Sequence, residues 1–187
     1  MKRKVFEVFG FLLLVLGITC GYGAQPKKLT ILHTNDTHSC LLPLDTGESR
    51  DDSYAGIARM ATLIKKYRAA DDNVLVLNAG DVFVGTFEFN KYLGYPELKI
   101  MENLYDAMEL GNHEFDLGFG MLYGILSGQL GGDGPVTLPL LCANVNFDEP
   151  LADMIKPYLI KTVGGIKVGI FGVVTEDKLN YSDDVAR

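Results

Sequence analysis

The chain has 187 residues, 48% hydrophobic and 22% charged, with a net charge of −7. That balance is too apolar for a disordered chain, and the length suits one domain with a real core. An acidic chain without basic stripes excludes nucleic acid as a partner, because neutralising phosphates requires Lys and Arg.

The first two dozen residues read as a targeting segment. Met1-Lys2-Arg3-Lys4 is a basic start, Phe9 to Thr19 is an apolar run, and Gly21, Gly23 and Ala24 supply the small residues a signal peptidase requires. The run is shorter than the ~20 residues that span a bilayer, so residues 1–24 are predicted to be a cleaved signal peptide, leaving no membrane span in the mature chain. The product would be exported: periplasmic, extracellular or cell-surface. Cys20 offers a lipoprotein alternative, although Gly17-Ile18-Thr19 is a poor lipobox. Residues 1–24 carry three basic groups against one acidic, Glu7, so the remainder is more acidic than the whole. An anionic small substrate would then need a local attractant, for which bound cations are the natural choice. Only Cys40 and Cys142 follow the segment, with no CxxC spacing, which excludes a zinc–thiolate site. One disulfide is open to an exported chain, but Cys142 lies in an apolar run and reads as a buried small residue.

From residue 25 onward, strand-like and helix-like segments alternate, the pattern of an α/β fold. Leu29 to His33 reads as a buried strand leading into Asn35-Asp36-Thr37-His38, and Pro43 to Asp52 as a polar loop. Gly56 opens a helix whose Ile57, Met60, Ala61 and Ile64 share one apolar face. Val74 to Leu77 is the second strand, closing on Asn78-Ala79-Gly80-Asp81. Tyr105 to Leu110 supplies a short strand before Gly111-Asn112-His113-Glu114, and Phe115 to Leu126 a helix weakened by glycines. Leu138 to Ala143 is a further strand ending at Asn144. Tyr158 to Val163 and Ile166 to Val174 flank Gly164-Gly165, a β-hairpin signal.

Each polar cluster follows the C-terminal end of an apolar strand, the edge at which α/β sheets build their sites. Asp36-x-His38, Gly80-Asp81 and Gly111-Asn112-His113-Glu114 should therefore converge. Each alone has a bland reading: a chance pair, a turn, a helix N-cap. Together they form a set of hard oxygens and imidazoles that suits Zn²⁺, Mn²⁺, Co²⁺ or Fe. Two carboxylates ~4 Å apart repel by roughly 4 kcal/mol at an effective dielectric near 20, a cost that a cation removes. His33 lies within its strand and reads as a core or supporting histidine rather than a ligand. Asn144 reads as either a phosphate contact or a turn former.

Ile31-Leu32-His33-Thr34-Asn35-Asp36-Thr37-His38-Ser39, Asn78-Ala79-Gly80-Asp81 with Gly85-Thr86, and Gly111-Asn112-His113-Glu114-Phe115-Asp116 closely resemble the signatures of the 5′-nucleotidase branch of the calcineurin-like metallophosphoesterases. Ala55-Gly56-Ile57-Ala58-Arg59 and Cys142-Ala143-Asn144-Val145 also match, and the likeness runs from about Leu29 to Val174. The resemblance implies a four-layer α/β/β/α sandwich of which residues 25–187 form roughly the first half. It implies two divalent metal ions in the complete site. Asp36 and His38 would hold the first metal, Asp81 would bridge both, and Asn112 would hold the second. His113 would stabilise the charge developing on the phosphoryl group or assist the leaving oxygen, oriented by Asp116. The implied reaction is hydrolysis of a nucleotide or related phosphate ester by two-metal activation of water. Monoester, cyclic diester and nucleotide-sugar substrates all remain open.

The chain departs from that pattern in one respect. Its three histidines are His33, His38 and His113, so the family's later Gly-His-x-His element and its C-terminal substrate domain have no counterpart here. The expectation is an incomplete hydrolase, weakly active or inactive alone, with an uncovered apolar face that favours aggregation. The alternative is a non-catalytic remnant that binds at most one metal or a partner protein.

Overall fold

The computed structural model describes residues 26–44, 54–131 and 133–176. The signal-peptide segment 1–24, with Cys20, and most of the polar loop after Pro43 lie outside the described residues.

Five strands run parallel in the order β1 (Thr30–Thr34), β2 (Val74–Asn78), β3 (Ala107–Glu109), β4 (Leu140–Leu141) and β5 (Ile155–Lys156). Each strand is followed by a return over one face, as parallel pairing requires. The first return is α1 (Ile57–Ala70). The second is a pair of short helices, α2 (Phe87–Tyr92) and α3 (Tyr95–Met101), and the third is α4 (Gly118–Leu126). The last return carries α5 (Leu151–Met154). β6 (Tyr158–Val163) and β7 (Ile166–Phe171) then form an antiparallel hairpin around Gly164-Gly165.

The alternation of side chains along the strands fixes the layers. Val74 and Val76 of β2, Met108 of β3 and Leu140 of β4 join a core that contains Ile64, Leu98, Leu122, Ile125 and Leu126 of the helices. Their neighbours Leu75, Ala107 and Leu141 point the other way and pack with Val163 and Ile170 of the hairpin. The parallel sheet is thus sandwiched between helices and a second β layer, which is why its central strands are apolar on both faces. α1 lays Ile57, Met60, Ala61 and Ile64 on the first core, the face that the periodicity predicts.

Several expectations need correction. β1 is an edge strand with its outer face in solvent, so Ile31 and His33 are exposed rather than buried, and His33 is not a core histidine. The segment 112–115 is a turn of 3₁₀ helix, and α4 begins only at Gly118. The strand expected over 138–143 shortens to Leu140–Leu141. α2 and α3 were not legible, because each is under two turns long and no full amphipathic period develops. Cys40 and Cys142 are both free, with Cys142 buried.

Candidate metal centre

The loops after β1, β2 and β3 meet at one edge of the parallel sheet. Backbone bonds zip the first two together: Asp36 N–H donates to the Gly80 carbonyl (3.0 Å), His38 N–H to Asp81 (3.1 Å) and Ser39 N–H to Val82 (2.8 Å). The path is tight enough to force left-handed backbone at Asp36 (φ 51°), His38 (φ 46°), Ser39 (φ 54°), Asp81 (φ 53°) and Val84 (φ 63°). Non-glycine residues in that region cost about 1–3 kcal/mol each, and a β-branched valine is an outlier there. Such strain is concentrated where a site must be held in shape.

The second and third loops touch through two glycines. A Cβ on Gly80 would overlap the backbone of Gly111, and one on Gly111 would overlap Asp81. Glu114 locks that contact from below. Its carboxylate is fully buried and accepts four backbone N–H bonds: from Val82 (2.8 Å) and Phe83 (3.0 Å) on one oxygen, Asp81 (3.0 Å) and Gly111 (2.6 Å) on the other. Burial pushes its pKa up against the pull of those donors, and the neighbouring Asp81 charge adds to the rise.

Within this frame, His38, Asp81 and His113 each offer a ligand atom, and the three atoms lie within 4.8 Å of one another. The two imidazoles meet edge to face with centroids 5.0 Å apart. His38 Nδ1 faces the carbonyls of Phe83 (3.1 Å) and Val84 (3.2 Å), which only accept, so Nδ1 carries the proton and Nε2 presents its lone pair. Asp36 stands beside it, Oδ1 3.9 Å from Nε2, with its other oxygen contacted by the Asn35 amide. His113 is fixed in the same manner: Nδ1 donates to Asp116 Oδ2 at 2.6 Å, which leaves Nε2 free to act. Asp81 Oδ1 also accepts the His113 N–H (3.0 Å), so the carboxylate is tied to the loop that follows β3.

Asn112 opens the 3₁₀ turn that also carries His113. Its side-chain Nδ2 is buried without a hydrogen-bond partner. A half-turn of the amide would put the carbonyl oxygen there instead, an acceptor with no protein donor to meet it. A half-buried carboxylate, two tautomer-fixed imidazoles and an orphaned amide make this donor set fit a divalent metal. Glu109 and Glu114 add to the local negative charge. Glu109 is pushed up to about 7, first by burial and then by Glu114 and Asp81, against the pull of the Val173 backbone.

All six residues singled out from sequence thus lie at one sheet edge. His38, Asp81 and His113 crowd together, while Asp36 stands outside that trio, 3.9 Å from His38 Nε2 and largely exposed. Asp116 backs His113, and Asn112 precedes His113 in the loop after β3. Asn144 does something else. Its Oδ1 accepts from Val174 N–H (2.9 Å) and its Nδ2 donates to the Val174 carbonyl (2.7 Å), clasping the chain after β7. The carbonyls of Phe83 and Val84, which orient His38, carry no sequence signal.

Residues 29–186 match the family model of the calcineurin-like phosphoesterases. Among curated proteins, a snake venom 5′-nucleotidase from Naja atra is 46% identical over 158 residues, 80% of this chain and 29% of the relative. A 5′-nucleotidase from Bos taurus is 40% identical over 88% of this chain and 29% of its own length. Among solved structures, a 5′-nucleotidase precursor from Thermus thermophilus superposes with a TM-score of 0.72 at 42% identity, covering 83% of this chain and 30% of that one. The chain therefore spans under a third of the length of these relatives.

Proposed function

The chain belongs to the calcineurin-like phosphoesterase family, and on that premise we propose that it supplies the metal-binding part of an exported hydrolase of nucleotides or related phosphate esters. The observation that carries this reading is the convergence of His38, Asp81 and His113 within 4.8 Å, with the proton of each imidazole already placed on the nitrogen that faces away from the site.

Asp36, His38, Asp81 and Asn112 would hold the metal, with Asp81 shared when two ions are bound. Divalent ions in such sites lower the pKa of water and neutralise phosphoryl oxygens, and Zn, Mn, Co or Fe would suit these donors. The protein's own part is positioning. Glu114 and the Gly80–Gly111 contact hold the Asp81 loop against the His113 loop. His113, steadied by Asp116, would turn Nε2 toward the place where charge develops on a phosphoryl or leaving oxygen, and in its doubly protonated form it would donate a proton there. The substrate is then a small phosphate ester drawn to an acidic protein by the ions it binds.

Histidine number favours a second reading of the isolated chain. With His33 exposed on β1, only two imidazoles reach the site, which suits one tightly held ion. The chain alone would then bind metal without rapid turnover. Mn²⁺ titration by calorimetry, beside hydrolysis of AMP and a cyclic nucleotide, tests both readings. Asp81→Ala is expected to weaken Mn²⁺ binding at least about tenfold and to remove any hydrolysis. Metal binding that survives the substitution unchanged would refute the assignment of the centre. Binding without turnover in the parent chain would select the second reading.

A further inference from the structure

Beside the metal centre, α1, α3 and the loop 36–41 enclose a cavity of about 460 Å³, within the size range of small-molecule sites. Leu41, Ile57, Met60, Leu63, Val82 and Met101 make most of its wall apolar. Glu97, on the first turn of α3, is only 3% exposed yet lines this cavity. Neither of its carboxylate oxygens has a hydrogen-bond partner among the described residues. Its own backbone N–H and then the Ser39 hydroxyl are near enough to pull the carboxyl's pKa down against its burial, but neither forms a hydrogen bond to its oxygens, and the hydroxyl donates to the Val82 carbonyl at 3.3 Å.

A buried charge without a partner is costly, and burial accordingly pushes Glu97 toward protonation. Protonation alone leaves the cost in place, since the carboxylic O–H would still find no acceptor among the described residues. The other polar groups of the wall are already engaged. The Tyr105 hydroxyl bonds to Thr34 Oγ1 (2.7 Å), and the Asn78 amide donates to the same oxygen (3.0 Å). Arg59 reaches back to the Ala55 carbonyl (3.2 Å) at the exposed entry to α1. Asp36 lies toward His38. Among the described residues, Glu97 is left as the one carboxylate at this wall with nothing to satisfy it.

We propose that the cavity binds a small organic ammonium, an apolar body of one ring or a short chain whose protonated amine meets Glu97. An ammonium carries both what the carboxylate lacks, N–H donors and a counter-charge, and its body matches the aliphatic and thioether wall. Met60, whose sulfur accepts from the Tyr105 hydroxyl at 3.2 Å, and the buried Met101 are unbranched, and they would have to shift to admit the head group. The site rests on Glu97 rather than on the phosphoesterase reading: it uses no metal, and of the residues assigned to phosphoryl chemistry only Asp36 also lines the cavity.

Calorimetry on the whole chain with 2-phenylethylamine and its neutral counterpart 2-phenylethanol tests the proposal without any variant. Saturable binding of the amine, at least about tenfold tighter than the alcohol, is expected from a charge-assisted hydrogen bond in an apolar site. Glu97→Gln should lose that preference while still binding the alcohol, and Leu63→Phe, which narrows the wall from α1, should weaken both. Equal affinity for amine and alcohol, no saturable amine binding, or an undiminished preference in a folded Glu97→Gln protein would each overturn it.

Discussion

Glu109 shows how the acidic crowd around the metal centre acts on stability. Its folded pKa, about 7, lies above the ordinary value of 4.5 because burial and the charges of Glu114 and Asp81 disfavour ionisation. A carboxyl with a raised folded pKa is no burden below pH 4.5. It costs the native state progressively as pH climbs toward 7, and fully above it. The side chain is only half-buried, so solvent screens the effect to about 1 kcal/mol. Glu109→Gln should therefore stabilise the metal-free chain at pH 8 by about that amount and change little at pH 4.5, read from urea midpoints in chelator at the two pH values. A constant difference at both pH values would show that the carboxyl's ionisation is not the cause. Glu114 shares the upward push of burial but differs in its partners: four backbone donors meet its oxygens, which is how a carboxyl becomes a rivet between loops.

Among the connecting elements, glycine plays two unlike roles, and the structure separates them. Gly111 sits at φ −79°, a backbone any residue adopts, so its requirement is purely one of space: an added methyl would run into Asp81. Gly120, inside α4, has nothing within 4 Å of where a methyl would go. Gly111→Ala is expected to destabilise by about 1–3 kcal/mol, because the loop after β3 must be pushed off the loop after β2. Gly120→Ala is expected to stabilise by roughly 0.5–1 kcal/mol through helix propensity alone. Opposite shifts of the thermal midpoint in the two variants check both assignments. The same reasoning explains why the glycines in 115–126 obscured the helix start: they weaken the helical signal, while the 3₁₀ turn at 112–115 is set by the Glu114 bonds, a tertiary effect.

For the molecule as a whole, the hairpin decides what the surface looks like. Its inner face, with Val163 and Ile170, closes the second core. Its outer face exposes Tyr158, Ile160 (53%) and Phe171 (70%), and Val173 follows them into solvent. Contiguous apolar side chains on a sheet face mark either an interface or an aggregation hazard. Ile160→Lys with Phe171→Glu should lower the light scattering of the concentrated chain and leave the urea midpoint within about 0.5 kcal/mol of the parent, since neither side chain is in the core. Loss of stability in the double variant would mean that this face is buried in the folded protein after all. No helix among the described residues is long and apolar enough to cross a membrane, so these exposed positions are not part of a helical span.

By itself, the amino-acid sequence determined the alternation of strands and helices and the chemistry of the site. Apolar periodicity is local, and Asp, His and Asn at strand ends announce themselves by type and spacing. It therefore gave up the three strands and loops that carry Asp36, His38, Asp81, Asn112, His113 and Asp116. Only the tertiary structure decided which atoms meet: that His38 is oriented by the carbonyls of Phe83 and Val84, that Glu114 rivets two loops, that His33 faces solvent, and that Glu97 is stranded in an apolar cavity. Those outcomes depend on contacts between residues dozens of positions apart, and on which face of an edge strand is left uncovered. No window along the chain carries that information.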